Sequence, residues 1–184
     1  MTRAPLLHAI FHRQVEGDES LLRLARERFR AADLGPEFYP ASPAALERLM
    51  AFHPGQASGT STVHLPRHLD LLDRRSLDDI VAFARRCGPG VRGLVVHDQP
   101  EVEGRFEDYV RQVRALDRLL EDAGPGPLVF IEYACGLEVA RFIGLFDAVR
   151  DCRRISACID ISHVAIRHCQ RAFSRSVPGL DPAA

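Results

Sequence analysis

Ile155-Ser156-Ala157-Cys158-Ile159-Asp160-Ile161-Ser162-His163 is an apolar run that ends in an acid and an imidazole three residues apart. Earlier in the chain, Leu128-Val129-Phe130-Ile131 leads directly into Glu132, Val95-Val96 into His97-Asp98, and Thr62-Val63 into His64. A buried strand ordinarily leaves its carboxyl end to turn residues, so four runs that each finish in a possible metal ligand need more than packing to explain them. The carboxyl ends of parallel strands are where α/β enzymes keep their reactive groups. The repeated pattern therefore points to a parallel α/β fold with its chemistry on one rim.

Working outward, strand-like runs alternate with amphipathic helices. Leu6 to Phe11 reads as a first strand and Ala32 to Phe38 as a weaker second, with a helix between them that Asp18 can cap and that carries Leu21, Leu22, Leu24, Ala25 and Phe29. Ser42-Pro43 opens the next helix, whose inner face is Leu46, Leu49 and Met50 and which stops by Pro54-Gly55. Ser61 to Leu65 is the third strand. A helix opened by a Ser76-x-x-Asp79 capping box and ended by Gly88-Pro89 follows. Val91 to His97 is the fourth strand, and Phe106, Tyr109, Val113, Leu116 and Leu120 mark a long helix ending at Gly124. Leu128 to Glu132 is the fifth strand, followed by a helix using Val139, Ile143, Phe146 and Val149, and Ile155 to Asp160 is the sixth.

Strand and helix thus repeat about every thirty residues, the span of a βα module, which implies right-handed crossovers and a parallel sheet. A closed (β/α)₈ barrel needs eight such units over about 250 residues. This chain accommodates about six, so the expected fold is an incomplete parallel TIM-barrel-like α/β domain, or alternatively an open doubly wound sheet. His12-Arg13-Gln14 stands where a dinucleotide-binding fold would carry its glycine-rich loop. Residues 1–184 form one domain, with 165–184 as a tail that begins like a helix and ends loosely in Val177-Pro178-Gly179.

With 46% hydrophobic and 27% charged residues, the 184-residue chain can bury a sizeable core. All 24 basic residues are Arg and oppose 25 acidic ones, leaving a net charge of −1 that draws the chain neither to nucleic acid nor to an anionic membrane. No apolar run approaches the ~20 residues of a membrane span. The five cysteines (Cys87, Cys135, Cys152, Cys158 and Cys169) form no C-x-x-C pair and follow no secretory signal, so a reducing cytoplasm is expected. They read as core filling, with Cys158 deep in the sixth strand.

The polar strand ends, in order, are His64, His97, Glu132, and Asp160 with His163. From about Ser61 to Arg167 this series resembles the xylose-isomerase-like TIM-barrel superfamily, which holds sugar isomerases and epimerases, hydroxypyruvate-isomerase-like proteins and the endonuclease IV type of apurinic-site nuclease. The resemblance is strongest in Leu128 to Glu132 and Cys158 to His163. It implies that Glu132 and Asp160 are metal ligands, that Glu132 also serves as an acid/base group, and that His163 touches substrate or a further metal. His64 and His97 match the two imidazole-bearing strands of the endonuclease branch, which makes them ligands too. The chain departs from the family in stopping before the His of a seventh strand and the Glu of an eighth. A fragment that has lost activity, a domain completed by another chain, and a trimmed barrel with fewer ligands are the three outcomes this leaves.

The residue types agree with such chemistry. Carboxylates with imidazoles suit Zn, Mn, Fe or Co, and the expected cofactor is a divalent ion among these or Mg. A divalent ion there polarises a carbonyl or generates hydroxide. The expected function is a divalent-metal-dependent sugar isomerase or epimerase with a small sugar-like substrate. The alternatives are an endonuclease IV-like phosphodiester hydrolase holding one ion through His64, His97 and Glu132, and a non-catalytic remnant or partner-dependent subunit, which would pair with a second copy or a completing chain. Each residue also has a plain structural role to set beside these: Glu132 could pair with an Arg such as Arg141, and Asp160 could cap a helix starting near Ser162, leaving His163 an ordinary first-turn residue. His8, His12 and His68 read as surface or rim residues, and His53 and His168 carry no assignment.

Overall fold

The computed structural model describes residues 7–8, 18–31, 35–51, 61–134 and 136–176. The remainder of the first expected strand, His12, Ala32 to Leu34, His53, Pro54-Gly55, Cys135 and the segment after 176 lie outside the described residues. Strands β1 (Leu7–His8), β2 (Gly35–Phe38), β3 (Ser61–His64), β4 (Val91–His97), β5 (Leu128–Glu132) and β6 (Ile155–Cys158) alternate with helices α1 (Glu19–Ala31), α2 (Pro43–Ala51), α3 (Arg74–Arg86), α4 (Phe106–Asp122), α5 (Val139–Ala148) and α6 (Ile161–Ser176). A 3₁₀ turn, Pro100–Arg105, leads into α4.

All neighbouring strands are parallel, and the sheet order is β1-β2-β3-β4-β5-β6, the order of the chain itself. The fold is therefore α/β with a parallel sheet. Because side chains alternate across a strand, residues opposite one another in register share a face. Phe38, Val63, Leu94 and Val129 are in register across β2 to β5. Together with Ile131 they are buried in one core with Leu46 and Leu49 of α2, Leu77 and Ile80 of α3, Leu116 and Leu120 of α4, and Phe142 and Leu145 of α5. The opposite face carries Glu37, Thr62, His64, Val95, His97, Phe130 and Glu132. One face thus packs against α2 to α5 and the other carries the polar groups.

Local signals set most element ends. Asp18 Oδ1 accepts from Ser20 N at 2.9 Å and Leu21 N at 3.1 Å, and Ser42 Oγ accepts from Ala45 N at 3.2 Å, so both expected caps are made. α3 begins earlier than its Ser76-x-x-Asp79 box implied. Asp73 caps it, accepting from Arg75 N at 3.3 Å and Ser76 N at 3.2 Å, so the helix opens three residues upstream and Ser76 lies inside its first turn. α4 ends where Gly124 adopts φ 92°, a left-handed conformation that costs glycine little.

Two helix faces differ from expectation. On α5 the buried stripe is Phe142, Leu145 and Val149, while Val139 and Ile143 are exposed, since the side of the helix that meets the sheet is set by packing and both stripes have helical spacing. On α1, Leu21 and Leu24 are exposed. β6 stops at Cys158, and α6 already begins at Ile161, so the helical segment starts before residue 165. Among the described residues, β6 pairs only with β5. Its residues, Cys158 included, are therefore less buried than those of β4 and β5, which places that thiol short of the deep position expected for it.

Candidate metal centre

His97 and Glu132 face one another in register at the carboxyl ends of β4 and β5. His64 ends β3, on the other side of β4. Next-nearest strands stand about 10 Å apart, within reach of two long side chains leaning toward each other across the smaller Val95. Glu132 Oε2 lies 2.8 Å from His97 Nε2 and 3.3 Å from His64 Nε2. Glu132 is only 5% exposed, and its Oε2 receives no aligned hydrogen bond despite these short approaches.

Electrostatics makes that arrangement informative. His64 Nδ1 lies 3.3 Å from the Leu65 carbonyl oxygen, so a neutral ring donating from Nδ1 turns the Nε2 lone pair toward the carboxylate. Two lone-pair-bearing atoms facing each other in a buried site repel, and either a proton on Nε2 or a cation between them removes the conflict. Burial lowers the His64 pKa, but the carboxylates of Glu132 and Glu37 outweigh it and the net shift is upward. Burial likewise raises Glu132, yet the two imidazoles prevail and hold its pKa down to about 2.

A second grouping shares the same carboxylate. Glu132, Asp160 and His163 offer ligand atoms within 4.8 Å of one another, as do His64, His97 and Glu132. Asp160 also opens α6: its Oδ1 accepts from Ser162 N at 2.6 Å and its carbonyl from Val164 N at 3.2 Å. The helix-capping role is thus real, and it leaves Oδ2 3.8 Å from His163 Nε2. His163, in the first turn of α6, sits edge-on to His97 with ring centroids 6.1 Å apart. The middle of α6 is tied to the residue preceding α5, since Glu138 pairs with both Arg167 and Arg171.

All five expected residues, His64, His97, Glu132, Asp160 and His163, are therefore brought together at one end of the sheet. Arg141 is not a partner of Glu132; it pairs with Glu103 at 2.8 Å. His68 is exposed, in the loop after β3. The donor set fits a divalent ion: two imidazole nitrogens converge on one buried carboxylate oxygen, with a further carboxylate and imidazole alongside.

Four contributors escaped the sequence reading. Tyr39, just beyond β2, stacks on His64 with centroids 4.9 Å apart and planes 16° apart. Glu37 accepts from Thr62 Oγ1 at 3.2 Å on the same sheet face. The signal available for Tyr39 was a polar ring following the Glu37-Phe38 strand end. Asp98 is buried, and its carboxylate accepts from Ala134 N at 2.7 Å and Leu137 N at 2.9 Å, pinning the loop after Glu132. Within that loop a Cβ on Gly136 would come 2.5 Å from the Gln99 backbone, so only glycine allows the close approach.

No known protein-family model and no curated protein matches this chain. Among the described residues, no helix is long and apolar enough to cross a membrane.

Proposed function

We propose that the chain is a divalent-metal-dependent protein of the xylose-isomerase-like barrel type, acting on a small sugar-like substrate as an isomerase or epimerase. The supporting observation is the convergence of His64 Nε2 and His97 Nε2 on the one buried Oε2 of Glu132, at 3.3 and 2.8 Å. The fold agrees: a parallel sheet whose strand order never reverses, with helices packed on one face, is how a (β/α) barrel is wound, whereas a doubly wound sheet reverses its order at the ligand crevice. Zn, Mn, Co, Fe or Mg at this site would polarise a carbonyl and its neighbouring hydroxyl. His64, His97 and Glu132 would hold the ion, Asp160 would complete or extend the site, and His163 would contact the substrate or a second ion. The near-neutral charge supports a small-molecule substrate over nucleic acid, and the free thiols of Cys87, Cys152, Cys158 and Cys169 accord with a cytoplasmic home.

The paired imidazoles on one carboxylate favour a second reading, an endonuclease IV-like hydrolase in which the ion activates water. Calorimetric titration with Zn²⁺, Mn²⁺ and Co²⁺ tests the shared premise: wild type is expected to bind, and His64→Ala and Glu132→Gln to bind at least tenfold more weakly. Wild type that takes up none of these ions would refute it. Nicking of abasic duplex DNA by the loaded protein would select the hydrolase, and interconversion of an aldose and a ketose the isomerase.

A further inference from the structure

Glu37 lies on the same sheet face as the candidate metal centre but outside both ligand groupings among the described residues. It is opposite Thr62 in register, and Thr62 is opposite Gly93, so its side chain shares the face of His64, His97 and Glu132. Thr62 Oγ1 donates to Glu37 Oε2 at 3.2 Å. The Tyr39 phenol is pushed up first by burial and then by the nearby Glu37 carboxylate. Tyr39 in turn stacks on His64. After burial and Glu132, the carboxylate of Glu37 also helps to raise His64 of β3 and Cys158 of β6, in keeping with its place on the polar face. It is held at one oxygen by Thr62, next to a ligand imidazole, and is not consumed by the ion.

We infer that Glu37 is the proton-transferring carboxylate of this site, with Tyr39 orienting it and contacting the substrate's oxygens. The inference rests on the isomerase reading and divides the labour between two carboxylates: Glu132, clasped by two imidazoles, serves the ion, and Glu37 serves the proton. Glu37 takes the proton from the hydroxyl-bearing carbon beside the carbonyl. The C–H electron pair forms the carbon–carbon double bond of an enediolate, and the hydroxyl proton passes to the former carbonyl oxygen. Glu37 then returns its proton to the neighbouring carbon while the carbonyl re-forms one carbon along, so atoms and charge balance without another reactant. A positioned acid/base group of this kind contributes roughly 10²- to 10⁴-fold to a rate.

The test incubates the Mn²⁺-loaded full chain with four- to six-carbon aldoses and ketoses in D₂O and follows carbon-bound deuterium by mass spectrometry. Wild type should incorporate deuterium, Glu37→Gln at least 100-fold more slowly, and Glu37→Asp at an intermediate rate, with Mn²⁺ affinity unchanged within about twofold in both variants. Incorporation by Glu37→Gln at the wild-type rate overturns the assignment while leaving the isomerase reading intact. Wild type that binds Mn²⁺ yet exchanges no proton in any of these sugars overturns the isomerase reading, and the inference with it.

Discussion

Glu132→Gln removes the charge around which the site is built while keeping nearly the same shape. The carboxyl of Glu132 is lowered from 4.5 to about 2, and at about 1.4 kcal/mol per unit that corresponds to roughly 3.5 kcal/mol, the imidazoles' pull net of the cost of burial. Because its folded pKa is depressed, this contribution is present above about 4.5 and is lost as pH falls toward about 2. His64 has the opposite sign: its folded pKa is raised above 6.5, so its contribution is full below 6.5 and disappears as pH rises through the raised value. Both charges coexist between roughly 4.5 and 6.5. In metal-free protein the stability margin of wild type over Glu132→Gln should peak there, at about 3.5 kcal/mol, and shrink as pH rises through the raised His64 value. Added Zn²⁺ should reverse the trend, since ligands must shed protons to bind it. At 100 times its Kd the ion stabilises wild type by about 2.7 kcal/mol, a rise of roughly 5 to 10 °C in Tm for a domain of this size. Urea unfolding at pH 5.5 and 8, and thermal melts with and without Zn²⁺, read all of these quantities. An equal Zn²⁺-induced rise in the Gln variant, or a margin that does not change with pH, would refute the reasoning.

Other outcomes follow from particular contacts. A Cβ at Gly93 would sit 2.2 Å from the Phe130 ring, so Gly93→Ala should cost about 1–3 kcal/mol in chemical denaturation through overpacking of the strand face below the site. Asp98→Ala strands the amides of Ala134 and Leu137, each worth about 1–3 kcal/mol when buried and unbonded, and hydrogen exchange should show the loop after β5 losing protection first. His163→Ala leaves His64, His97 and Glu132 in place; one ion should still bind in calorimetry with affinity within a few-fold of wild type, and a larger loss would mean that His163 belongs to the first ion's ligand set.

The sequence by itself determined the alternation and its consequence. Val91 to His97 and Leu128 to Glu132 match their strands end to end, because a short β-branched run closed by a polar group has few other conformations to adopt. The same period-two arithmetic placed His97 and Glu132 at corresponding ends of neighbouring strands. Tertiary structure decided what local patterns leave degenerate. Val139 and Ile143 have helical spacing as good as that of Phe142 and Leu145, and only contact with the sheet selects between the stripes. Asp73 and Ser76 both qualify as caps, and in the folded chain it is the upstream aspartate that opens the helix. The contributions of Tyr39, Glu37 and Thr62 depend on register across β2, β3 and β4, contacts separated by tens of residues that no spacing rule encodes. Sequence can state which side chains end a strand. Which of them meet across the sheet is a property of strand order and register, fixed by burying one apolar face against the helices.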